Sequence, residues 1–168
     1  MINKSIFSVS IWNMVITLFA FLCGSYFTAL FSEPTSAIGG LWSVISGIIV
    51  LESTREDTVR SAKFRIVGSL IGSVVSGIYL FYFPFSAIGY SVCIGIGAMV
   101  CLLLRLPKHI KLSGVTISVI MIISTIRHEL NPFLNAGLRF VESGIGAGVA
   151  VFVSYLSDWL LLTKRERI

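Results

Sequence analysis

Six stretches of apolar residues, separated by short polar or charged segments, organise this chain. They run over 11–31, 37–51, 66–83, 85–104, 112–126 and 138–162. A helix needs about 20 apolar residues to cross the hydrocarbon of a bilayer, and roughly 17 to 25 are tolerated. The second and fifth runs fall short of that, but each can extend by a turn into its polar flank. All six are too long and too uniformly apolar for barrel strands, which alternate polar and apolar positions. Lipid cannot hydrogen-bond an open backbone, so the pattern predicts an all-α integral membrane protein, a single domain of six spanning helices. The first run is too long for the apolar part of a signal peptide, and the SEPTS segment offers no small-residue cleavage site, so it reads as a retained span.

Composition agrees with this. The 168 residues are 55% hydrophobic and 12% charged, against about 25% charged in soluble domains. The net charge of +5 does not indicate nucleic-acid binding, because the basic residues cluster between the apolar runs. Lys4, then Arg55, Arg60, Lys63 and Arg65, then Arg105, Lys108 and Lys111, then Lys164, Arg165 and Arg167 all fall on one side of a six-span arrangement. Only Arg127 and Arg139 fall on the other. Positive charge concentrates on the cytoplasmic side, so both termini are expected there. The segment Glu52–Arg65 is expected to continue helically beyond the membrane, with Glu56 placed one turn before Arg60. Its alternative role is a cytoplasmic mouth that draws anions.

Spans two and three resemble spans five and six. Ser43 opens SVISGIIV and Ser118 opens SVIMIIST. Arg65 opens RIVGSLIG and Arg139 opens RFVESGIG, each arginine standing seven residues before a glycine, Gly72 or Gly146. The offsets are 75 and 74 residues, as a duplicated three-helix unit would produce. Three crossings are odd, so the two copies would run in opposite directions, the inverted repeat common among transporters.

The candidate chemistry is sparse. An arginine within a span is costly unless it faces water, protein or a ligand, and a guanidinium grips a carboxylate through two parallel hydrogen bonds. Arg65 and Arg139 are therefore candidate substrate-binding residues approaching one pathway from opposite faces; snorkelling to the interface is the other account of each. Glu142 lies one turn after Arg139 and can either pair with it or serve as a proton-sensitive group beside the anion. Asp158 reads as an interfacial partner for the basic tail. The pairs Gly68/Gly72 and Gly144/Gly148 read as helix-packing faces, with Ser69, Ser73 and Ser76 widening the small surface of span three. Trp12, Trp42, Tyr79, Phe81, Tyr82, Phe83, Phe85, Tyr90 and Trp159 stand near span ends as interfacial anchors. Cys23, Cys93 and Cys101 lie in apolar runs and read as buried small hydrophobes. His109 and His128 lack metal-ligand spacing, and no catalytic motif is present, so no enzyme activity, metal or cofactor is expected.

The run WSVISGIIVLESTREDTVRSAKFRIVGSLIGSVVS, 42–76, resembles the fusaric acid resistance and aromatic acid exporter superfamily through Trp42, Val44, Arg65, Gly68 and Gly72. Plant aluminium-activated malate transporters are similar over the same stretch, including an acidic residue at Glu52. NPFLNAGLRFVESGIGAGVAV, 131–151, is similar to that superfamily's sixth span through Arg139, Glu142, Gly144 and Gly146. The resemblance implies a module in a bacterial inner membrane that exports small organic, including aromatic, carboxylates as an exporter or anion channel. Exporters of this kind carry two such modules and a large cytoplasmic domain. Here the chain ends a few residues after span six, so a homodimer is expected to complete the pathway. The alternative is a structural or assembly subunit with no path of its own.

Overall fold

The computed structural model describes residues 2–126 and 130–165, with side chains described over 10–126 and 130–159. Arg127, His128 and Arg167 lie outside the described residues, as do the side chains of Lys4, Lys164 and Arg165. Six α-helices follow one another: α1 (Ile2–Ala29), α2 (Ser36–Val50), α3 (Arg55–Tyr82), α4 (Ala87–Leu103), α5 (Ile110–Ile126) and α6 (Pro132–Arg165). Short 3-10 turns at Glu33–Thr35 and Pro107–His109 lead into α2 and α5. Five of the helical segments are long and apolar enough to cross a membrane, while α4, at 17 residues, is shorter.

The helices are capped where the chemistry of the sequence allows. Thr54 accepts from the Asp57 amide at 3.1 Å while its hydroxyl donates to the Asp57 carboxylate at 2.7 Å, so α3 starts at Arg55, well before the apolar run at 66. Asn131 accepts from the amides of Phe133 and Leu134, so α6 likewise starts at Pro132, ahead of 138. Apolarity marked only the lipid-facing part of each helix. Ser86 caps α4 through the Gly89 amide. At its other end the Leu106 amide reaches the Cys101 carbonyl and the Arg105 amide the Leu102 carbonyl, with Arg105 at φ 59. This is a Schellman turn with arginine in the left-handed position that glycine favours.

The chain divides into two compact units. The first takes α1, α2, the opening of α3 as far as Lys63, and α6 from Glu142 onward. Its core gathers Ile16, Val50, Ala62, Ala147, Ala150 and Val153, with Trp12 packed against it. Here α6 crosses α2 backbone to backbone. A Cβ on Gly146 would overlap the Ser43 carbonyl, and one on Gly47 would stand 3.2 Å from the Gly146 carbonyl. Asp158 pairs at 3.9 Å with Arg55, whose guanidinium also lies over the Tyr155 ring.

The second unit takes α3 from Phe64, α4, α5, and α6 as far as Val141. Cys93, Ile117 and Met121 form its buried centre, ringed by Val75, Tyr79, Leu80, Phe85, Tyr90 and Ile94. Gly68 and Gly72 seat α3 on α5. A Cβ on Gly72 would stand 2.7 Å from the Ser113 carbonyl, and one on Gly68 3.2 Å from the Ser113 amide.

Among the described residues a Cβ on Gly144 or on Gly148 would meet nothing within 4 Å. The contact face of α6 carries Gly146, and the other two are turned away from it. Trp42 is buried in α2 rather than anchored at an interface, whereas Tyr82, Phe83 and Trp159 are exposed as anchors should be. Cys23, on α1, is exposed; Cys93 and Cys101 are buried, and the three thiols are free.

These contacts predict opposite outcomes for neighbouring glycines. Gly146→Ala should destabilise the purified protein by about 1–3 kcal/mol, the usual cost of overpacking. Gly148→Ala should be neutral, or stabilising by up to about 1 kcal/mol through helix propensity. Arg105→Gly should stabilise by about 1 kcal/mol, the order of the left-handed penalty it relieves. Thermal unfolding in one detergent, compared across the three variants, checks all of these.

Candidate functional site

A polar seam runs through the second unit. Arg65, Ser69, Ser73 and Ser76 follow one another along one face of α3, and all four are buried. Facing them on α5 are the buried Ser113 and Thr116, and the Thr116 hydroxyl donates to Ser69 at 3.3 Å. From α6 come Asn135 and, one turn later, Arg139, both buried. The Asn135 amide donates to the Ile120 carbonyl of α5 at 3.2 Å. Among the described residues the hydroxyls of Ser73 and Ser76 make no hydrogen bond. Serines in spanning helices usually bond back to their own helix or across to a neighbour, so two in succession that do neither are chemically available.

Arg65 and Arg139 are fully buried, so neither snorkels to an interface. Each stands well inside its helix, because α3 and α6 begin earlier than the apolar runs indicated. Their depths differ. Gly77 of α3 lies against Ala136 and Phe133 of α6. At 1.5 Å per residue, Arg65 is about 18 Å along α3 from that crossing and Arg139 about 4.5 Å along α6. Their backbones therefore stand at different levels of the second unit.

Glu142 falls in the first unit, where its placement is explicit. The Thr28 hydroxyl of α1 donates to its carboxylate at 2.6 Å, and the Ser43 hydroxyl of α2 donates to its backbone carbonyl at 3.1 Å. Gly39 of α2 leaves room for this carboxylate, since a Cβ there would stand 2.7 Å from it. Sequence spacing suggested neither Thr28 nor Gly39, because both belong to helices far from Glu142 in the chain. Asn135 was also missed, since an amide at a helix start reads as capping until its depth is known.

Where α3 ends and α6 begins, the second unit holds a cavity of about 660 Å³ lined by Leu80, Phe83, Pro84, Phe85, Ser124, Thr125, Leu130, Pro132 and Asn135. An apolar groove of about 580 Å³ also lies between α3 and α4, lined by residues that include Leu70, Val74, Ile78, Tyr82, Cys93 and Ile96. Among the described residues no three His, Cys, Asp or Glu side chains gather closely enough to share a metal ion.

Comparison with known proteins places this architecture. A UPF0421 protein of Bacillus cereus is 27% identical over 125 residues, covering 74% of this chain and 33% of its own length. A UPF0421 protein of Bacillus thuringiensis is 26% identical over 125 residues, with 74% and 33% covered. One from Halalkalibacterium halodurans is 25% identical over 115 residues, with 68% and 31% covered. The chain thus spans about a third of the length of the curated relatives it matches. No solved structure matches it. The family of fusaric acid resistance protein-like proteins matches residues 22–153, most of the chain. This multi-pass membrane protein therefore belongs to the fusaric acid resistance protein-like family.

Proposed function

We propose that the protein moves small organic carboxylate anions out of the cytoplasm through the polar seam of its second unit. One observation carries the reading: two fully buried arginines stand at different levels of a unit that also buries the hydroxyls of Ser69, Ser73, Ser76, Ser113 and Thr116. Charged side chains inside a membrane mark ion and substrate pathways far more often than they serve packing. Arginine suits a carboxylate because its planar fork donates to two oxygens at once. Two weak stations in series suit transport, which needs binding firm enough to admit a solute and weak enough to release it. A negative cytoplasm expels each anionic charge with about 2.3 kcal/mol per 100 mV, so no proton relay is needed. Aromatic carboxylates are a natural subset, since the fusaric acid of the family's description is one.

The inverted repeat belongs to the same reading. In the second unit Gly72 of α3 seats on α5 at Ser113 and Thr116, and in the first Gly146 of α6 seats on α2 at Ser43 and Gly47. An arginine precedes each glycine by seven residues. Each unit thus combines two helices of one half-chain with the long helix of the other, as a duplication with exchanged third helices would produce. The distribution of basic residues supports cytoplasmic termini.

Flux measurements test the proposal. In liposomes holding an imposed potential, negative inside, wild type should release benzoate. Arg139→Ala and Arg65→Ala should each slow release at least tenfold, and Arg139→Lys, which keeps the charge but loses the fork, should fall between. Undiminished flux in both alanine variants, each monodisperse by size-exclusion chromatography, would remove the arginines from the path. No flux from wild type would favour an assembly role instead.

Topology is tested separately. In a background lacking Cys23, Cys93 and Cys101, a cysteine replacing Ser32 should react with an impermeant maleimide added outside intact cells. One replacing Thr54 should react only after the cells are opened. The reverse pattern would invert the orientation.

A further inference from the structure

The cavity at the end of the second unit has a chemistry of its own. Among the described residues its polar lining consists of Asn135, Ser124 and Thr125. The two hydroxyls have spent their donors on backbone, and the Asn135 amide one of its two. The Asn135 amide nitrogen donates to the Ile120 carbonyl at 3.2 Å, the Ser124 hydroxyl to the Met121 carbonyl at 2.7 Å and the Thr125 hydroxyl to the Ile122 carbonyl at 2.7 Å. A carbonyl can only accept, so the bond to Ile120 fixes which end of the Asn135 amide is nitrogen. The oxygen at its other end is buried and accepts no hydrogen bond among the described residues.

The backbone adds little donor capacity. Pro84 and Pro132 both line the cavity and have no N–H to offer. The free amides at the start of α6, those of Phe133 and Leu134, are taken by Asn131. Phe83 and Phe85 supply the apolar wall. The result is an aromatic-walled chamber whose side chains present hydrogen-bond acceptors, and among the described residues none that lines it is charged.

Charge narrows the class further. An anion brings only acceptors to a chamber poor in donors, and its desolvation would go uncompensated. A cation would approach Arg139, which follows Asn135 by one turn of α6. We propose that this cavity is a binding site for a neutral, ring-bearing molecule that donates an O–H or N–H to Asn135 Oδ1. Phenols, anilines, amides and protonated carboxylic acids share that chemistry. The assignment rests on the cavity alone and holds whether or not the seam conducts anions.

Phenol, anisole and benzoate separate the possibilities, being respectively a donor, its methylated analogue without a donor, and an anion. Their binding to the protein in lipid nanodiscs is measured by ligand-detected NMR, with empty nanodiscs subtracted. Phenol should bind at least tenfold more tightly than anisole, and benzoate, for which the arginines are the matching groups, should not displace it. Asn135→Leu, close in shape, should bring phenol to within about twofold of anisole and leave anisole unchanged. Thr125→Val, which removes a partly exposed hydroxyl, gives a second reading should the buried change impair folding, and it should weaken phenol alone by severalfold. Equal binding of phenol and anisole by wild type, displacement of phenol by benzoate, or a preference for phenol that survives both substitutions would each overturn the assignment.

Discussion

A guanidinium cannot be left in hydrocarbon, and that single constraint orders the second unit. Arg65 and Arg139 carry the largest fully buried side chains of the described residues. Each must be enclosed by groups that share its hydrogen bonding. The small residues of α3 follow from this. Gly68 and Gly72 draw α5 close enough to roof the face that carries Arg65, Ser69 and Ser73. Ile66, Leu70, Val74 and Ile78 of α3 are exposed and follow at the same spacing around the helix from that face, as a lipid-facing surface should.

In the first unit the buried charge is a carboxylate, and it is satisfied differently. Glu142 takes a hydroxyl from α1 through Thr28, and its carbonyl takes one from α2 through Ser43. Both bonds lie in the turn before the crossing of Gly146 over Ser43 and Gly47. The same short stretch of α6 thus holds the polar anchor and the closest backbone approach. Displacing either would disturb the other, because a glycine crossing has no side chain through which to adjust.

Much of the fold was legible in the sequence because hydropathy reports contact with lipid directly. The six helices, their order and the cationic character of the third and sixth followed from runs and punctuation. Helix starts were less legible, because caps such as Thr54 and Asn131 lie in polar sequence that looks like loop. The glycines show a different limit. Gly144, Gly146 and Gly148 follow one another at intervals of two, so spacing alone offers several faces. Which face meets α2 depends on the rotation of α6, a tertiary property. Arg65 and Arg139 were identifiable because charge in an apolar run is anomalous on its face. Asn135 was not, since an amide near a helix start is ordinary until Ile120 is placed beside it.

The order of polar groups along the second unit has a consequence for any solute that enters it. Near the junction of α3 and α6 the described side chains lining the cavity offer mainly acceptors; about a turn further along α6 stands the guanidinium of Arg139. A neutral acid can donate to Asn135, whereas its conjugate base can only accept and is matched to the guanidinium. Acceptors and donors arranged in that order distinguish the two protonation states of one molecule by depth. The selection needs no titratable group in the cavity, because the solute's own proton decides where along the seam it is stable.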